Sequence, residues 1–94
     1  MEIKYQIRYL EEVVRKHIPA LPSKAKVFIK RAIEEQLMVD PIGFGKPLRY
    51  SLKGHRRLRV SDYRLIYRIE TELSSKNTVI IIAIKHRKDV YDDS

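Results

Sequence analysis

The sequence predicts an α+β fold: two N-terminal helices packed on one face of a four-stranded, mainly antiparallel sheet, in the order β-α-α-β-β-β. Three observations carry this expectation. Apolar and polar residues alternate with a period of two at the start of the chain. Two stretches of helical periodicity follow, punctuated by proline. From His55 onward the pattern returns to strands and ends in Val79 to Ile84, where every position is apolar.

Taken in order, Ile3, Tyr5, Ile7 and Tyr9 alternate with Glu2, Lys4, Gln6 and Arg8, as in a half-buried strand. Leu10, Val13, Val14 and Ile18 then fall at helical spacing, in a helix kept short by Pro19 and Pro22. Ser23 is the expected N-cap of the second helix. Its apolar stripe is Ala25, Phe28, Ile29, Ala32, Ile33 and Leu37, running from about Lys24 to Val39. Asp40-Pro41 should end that helix, with Gly43 and Gly45 opening a loop. His55 to Val60, Tyr63 to Glu70 and Thr78 to Ile84 read as three consecutive strands. Ser61-Asp62 forms a tight turn between the first two, and Leu73 to Asn77 a looser one before the third. The last strand, apolar throughout, should be covered on both faces. Lys88 to Ser94 can add one helical turn or fray.

The 94 residues suffice for a single domain, 1–94, with one modest core. Twenty Lys and Arg against twelve Asp and Glu give a net charge of +8, which favours polyanionic partners. There is no cysteine, so disulfides and thiolate metal sites are excluded. The N-terminus lacks a signal-type apolar core, and the six-residue apolar run is far too short for a transmembrane helix. A cytoplasmic protein with no membrane partner is the expectation.

Between Lys46 and Arg68 there are eight Lys and Arg and one acid, Asp62. Strand alternation puts His55, Arg57 and Arg59 on one face, with Arg56, Leu58 and Val60 on the other. If Leu58 and Val60 point to the core, the first three side chains look outward, and Arg64 on the next strand can join them. Such density, short of counter-charge, suits an anion, phosphate above all. Lys46, Arg49, Lys53, Arg56 and Arg59 are the expected phosphate contacts.

RNA transesterification needs a base for the 2′-hydroxyl, an acid for the departing 5′-oxygen, and cations for the charge that builds on phosphorus. His, Lys, Arg and Tyr supply all three without metal. His55 and His86 are the candidate base or acid, since imidazole titrates near neutrality. Tyr91 can stack on a base or donate its hydroxyl. His17, without cationic company, is expected on the surface of the first helix. Tyr63 and Tyr67 are expected to pack in the core or hairpin, and Phe44 and Tyr50 to lie in the loop at a binding edge. No glycine-rich phosphate loop and no zinc spacing is present, and Asp89, Asp92 and Asp93 read as an acidic tail, so no cofactor or metal site is assigned.

Three segments carry a resemblance to the RelE/ParE superfamily of toxins from toxin–antitoxin pairs. They are Gly45-Lys46-Pro47-Leu48, the stretch Leu58 to Ile69 with its Arg-Val-x-Asp-Tyr-Arg-x-Ile-Tyr hairpin, and Ile84 to Tyr91 with His-Arg-Lys-Asp-Val-Tyr. The resemblance covers nearly the whole chain and implies a fold like that of small microbial ribonucleases. RelE-type members cut mRNA in the ribosomal A site, through the 2′-hydroxyl and without metal. Their catalytic residues imply a set here of His55, Arg57, Arg64, Arg87 and Tyr91, where His86 or Lys85 can replace Arg87. His and Arg stand where that branch carries two lysines, so the base is open between His55 and His86, and Arg57 is better as a phosphate clamp. The resemblance also implies an acidic, RelB-like antitoxin as partner, with ribosome and mRNA as targets. The ParE branch shares the fold, lacks the RNA-cutting residues and inhibits DNA gyrase, which makes gyrase the alternative target.

Overall fold

The computed structural model describes residues 5–49, 54–70 and 77–89. Among them, β1 (Gln6–Tyr9) leads to a π-helical turn (Val13–His17). Next come α1 (Ser23–Ala32), a second π-helical turn (Ile33–Leu37) and α2 (Pro41–Phe44). Four more strands follow, namely β2 (Lys46–Pro47), β3 (Arg56–Val60), β4 (Tyr63–Glu70) and β5 (Thr78–His86), and then a 3-10 turn, Arg87–Asp89.

The strands make one mixed sheet in the order β1-β5-β4-β3-β2. β1 runs parallel to β5, and the other neighbours are antiparallel. The expected α+β architecture is present, with a fifth strand and an extra helix. The fifth strand is β2, in which Lys46 and Pro47 pair with Arg57 and Arg56. Two residues are too few to show alternation, and a proline is tolerated there because β2 is an edge.

The extra helix corrects the loop expected after Asp40-Pro41. Asp40 ends the preceding helix and also starts the next, its Oδ1 accepting from the Gly43 N–H at 2.9 Å. Pro41 follows at the first helical position, where its missing N–H costs nothing. Ser23 is likewise not the cap of α1 but its first residue. Pro22 precedes it, and the Pro22 carbonyl accepts from the Lys26 N–H at 3.0 Å.

The core lies between the helices and one face of the sheet. Ala25, Ile29, Ala32, Ile33 and Leu37 from the helix pack with Leu58, Leu65, Tyr67, Val79, Ile81 and Ile84 from the strands. Ala32 and Ile33 are consecutive yet both buried, 6 % and 4 % exposed. Ala25, Ile29, Ala32 and Ile33 fall at i, i+4, i+7 and i+8, the ordinary apolar stripe of a helix, and a π-helical turn follows, in which the Met38 N–H reaches back five residues to the Ile33 carbonyl. β5 is buried at alternate and at intervening positions, with Val79, Ile80, Ile81, Ala83 and Ile84 all inside, as suits a strand held between β1 and β4 in the sheet's interior. Among the described residues no helix is long and apolar enough to cross a membrane. The turn expected at Leu73 to Asn77 lies almost wholly outside the described residues, as do Val90 to Ser94.

Candidate functional site

The hairpin β3–β4 turns at Ser61-Asp62, where Ser61 takes a positive φ of 55°. Its register pairs Leu58 with Leu65 on the core face, and therefore Arg59 with Arg64 on the opposite face. Across the next interface Arg64 pairs with Lys85 of β5. Arg59, Arg64 and Lys85 thus form one row across three strands. Side chains directly opposite in antiparallel strands have Cβ atoms about 5 Å apart. One step along, Arg57 pairs with Ile66 and, across the other edge, with Lys46 of β2. These five cations lie on the face that the helices leave uncovered.

Like charges placed directly opposite are destabilising. Two such pairs follow in succession, Arg59 with Arg64 and Arg64 with Lys85, and a bound anion would offset their repulsion. Among the described residues, Asp62 and Glu70 each pair with an arginine outside the row. Asp62 lies 3.8 Å from Arg87 Nε and takes the Arg87 N–H on its carbonyl at 2.7 Å. Glu70 pairs with Arg68 at 3.0 Å. Phe44, Lys46, Arg57, Arg59 and Arg64 line a cavity of about 260 Å³ at this end of the sheet.

His55 immediately precedes β3 and is half-buried, its carbonyl accepting from the Leu48 N–H at 2.9 Å. By alternation it follows Arg57 and Arg59 onto the same face. Arg49 is exposed beyond β2. Lys53, Tyr50 and Tyr91 lie outside the described residues.

Three expected site residues are placed differently. Arg56 belongs to the other face, opposite Tyr67, and its guanidinium is engaged by backbone. Its Nη2 donates to the carbonyls of Ile42 at 2.7 Å and Gly45 at 3.1 Å. It holds the α2–β2 corner, with no atom turned to the cation row. His86 pairs with Tyr63 on the helix side of the sheet, ring centroids 5.1 Å apart and edge-on. Its Nδ1 accepts from the Lys88 N–H at 3.1 Å, and it stands apart from the arginines. Arg87 sits at the rim with its guanidinium towards Asp62.

Two residues take roles that the sequence does not give them, Lys85 being there only an alternative to Arg87 and His17 a surface residue. Lys85 completes the row, a position that only the β4–β5 register reveals. His17 is far from a surface residue: its side chain is 18 % exposed and its Nδ1 accepts from the backbone N–H of Ile84 at 3.1 Å. β1 accompanies β5 only as far as Ile81, so beyond that point the edge of β5 needs another acceptor, which His17 supplies. Its Nε2 is 3.4 Å from Glu12.

A second opening, about 410 Å³, lies between α1 and the β1 edge. Ile7, Ile18, Leu21 and Ile29 line it, with Lys26 and Lys30 among its walls.

Comparison with known proteins agrees with this geometry. Residues 7–91 match the family model described as the ParE toxin of type II toxin–antitoxin systems, parDE. Toxin RelG of Mycobacterium tuberculosis is 33 % identical over 87 residues, spanning 93 % of this chain and 95 % of that protein. A chain of the toxin–antitoxin complex RelBE2 from the same organism superposes with a TM-score of 0.79 at 31 % identity, covering 95 % of this chain and 98 % of that one. A conserved hypothetical protein of Helicobacter pylori shares the fold, with a TM-score of 0.64 at 10 % identity over 93 % of this chain and 99 % of that one. So does a YoeB/ParE toxin from Agrobacterium tumefaciens, with a TM-score of 0.59 at 14 % identity over 86 % of this chain and 97 % of that one.

Proposed function

The chain belongs to the RelE/ParE superfamily of type II toxins, and from that premise we propose that it is a metal-independent endoribonuclease that cuts mRNA in the ribosomal A site. The observation that carries this reading is the row Arg59, Arg64 and Lys85, with Arg57 and Lys46 beside it, on the sheet face away from the helices.

In the reaction, a base removes the 2′-hydroxyl proton and the 2′-oxygen attacks the adjacent phosphorus. The bond from phosphorus to the 5′-oxygen breaks, the 5′-oxygen takes a proton, and a 2′,3′-cyclic phosphate remains. His55, on the face of Arg57 and Arg59, is the base in this account. Arg57, Arg59 and Arg64 hold the phosphate and the charge that builds on its oxygens. Lys85, opposite Arg64, serves the leaving 5′-oxygen, and Tyr91 orients the nucleotide. The ribosome supplies the alignment of the mRNA, which relieves so small a domain of that burden.

The partner in this reading is an acidic antitoxin. The net charge of +8 supports it, as does the likeness to a chain from a toxin–antitoxin complex. The apolar opening beside β1, whose walls carry Lys26 and Lys30 along with Glu34, suits an amphipathic segment with acids set against the two lysines. Lys26→Glu with Lys30→Glu should then reduce co-purification with the co-expressed antitoxin and leave toxicity intact. Undiminished co-purification would remove the antitoxin from that surface.

The match to a ParE family model keeps gyrase inhibition as the second reading. The two separate in one experiment. Purified protein is added to a cell-free translation reaction and, in parallel, to a gyrase supercoiling assay. The nuclease reading expects broken mRNA and normal supercoiling. Arg64→Ala should keep the fold and lose growth inhibition, and a fully toxic Arg64→Ala would sink the phosphate clamp.

A further inference from the structure

Phe44 is 50 % exposed at the end of α2 and lines the same cavity as Lys46, Arg57, Arg59 and Arg64. A single exposed aromatic is ordinary on a protein surface. This one is displayed on a backbone pinned from every side. The Phe44 N–H donates to the Asp40 carbonyl at 3.1 Å, and the Asp40 carboxylate holds the Gly43 N–H. Arg56 holds the carbonyls of Ile42 and Gly45, on either side of Phe44. The Tyr67 hydroxyl donates to the Pro41 carbonyl at 2.6 Å. A corner built so firmly fixes the direction in which the Phe44 side chain leaves the backbone without burying the ring.

Stacking and charge are the two components of single-strand recognition: cations follow the backbone, and aromatic faces receive the bases. We propose that Phe44 is a stacking platform for a nucleobase of single-stranded RNA whose phosphate lies on Arg57, Arg59 and Arg64. The inference rests on reading the cation row as a phosphate site. It adds a subsite that holds one base at the rim of the cleft, with no hydrogen-bond readout of which base it is.

The chain has no tryptophan, so Phe44→Trp installs a lone indole at an exposed position. This variant is titrated with a 2′-O-methyl oligoadenylate, which cannot be cut, and with an abasic oligomer of the same length. Quenching by the oligoadenylate but not by the abasic strand is expected. In parallel, Phe44→Ala should bind the oligoadenylate roughly 5- to 150-fold more weakly than the wild type and the abasic strand equally well. Arg64→Ala should weaken both strands. Equal losses for the two strands, an unaltered Phe44→Ala, or a wild type that binds neither strand would each overturn the proposal. Base-selective quenching in a protein that leaves mRNA intact would keep the platform and refute the nuclease.

Discussion

Gly45 is required by its neighbours. Its backbone is extended, and a Cβ there would collide with the Tyr67 hydroxyl and crowd the Arg57 carbonyl at 3.1 Å. Gly45→Ala should therefore cost about 1–3 kcal/mol in chemical denaturation. Tyr67 itself is fully buried, and burial pushes its phenol above the usual 10.0. Asp40 adds to that shift, while the Arg56 guanidinium opposes it. A raised folded-state pKa means the native protein binds the proton more tightly than the unfolded chain. Stability from this group is complete below pH 10 and is lost as pH rises through the folded value. Tyr67→Phe should lower stability by about 1–2 kcal/mol at neutral pH, because the Pro41 carbonyl loses its donor. Its stability should also fall less than the wild type's above pH 10. Arg56 shows what the sequence held at this scale. Alternation already grouped it with Leu58 and Val60, on the core face, but local charge density argued for phosphate. Its true partners, the carbonyls of Ile42 and Gly45, are 14 and 11 residues away and leave no mark in the local pattern.

The elements were legible in proportion to their length and regularity. β4 and the hairpin turn fall where alternation and Ser61-Asp62 put them. β5 also begins as expected, at Thr78, but runs on to His86, past the apolar run, because its ladder with β4 continues through Lys85 and His86. β2 and α2 escaped notice because two and four residues are too short for a period to show. His17 escaped because its bond to Ile84 spans 67 residues. That bond closes the part of the β5 edge that β1 abandons, and it ties the first π-helical turn to the sheet. His17→Ala should leave the Ile84 N–H without an acceptor and cost about 1–3 kcal/mol. Hydrogen exchange would show it directly as faster exchange at Ile84, with the β3–β4 amides unaffected. An unaltered Ile84 amide would mean that the edge is closed by something else.

At the scale of the molecule, helices cover one face of the sheet and cations occupy the other. The face of the cations was readable from alternation in β3. The row itself was not, since it depends on how β4 and β5 are registered. Single-stranded RNA binding through such a row should weaken with salt, with a slope of roughly −0.7 per phosphate neutralised. Arg59→Met should make that slope shallower by about one such step. Arg56→Met should leave the slope unaltered and lower only the stability, because its guanidinium faces the α2–β2 corner.

Primer extension on translating ribosomes decides whether this cation row cuts RNA. Purified protein is added to a defined translating mRNA, beside Arg64→Ala, and the new 5′ ends are mapped. Breaks confined to A-site codons with the wild type, and absent with Arg64→Ala, are the predicted result. Unbroken mRNA in the presence of folded, growth-inhibiting protein would contradict the account and turn attention to gyrase.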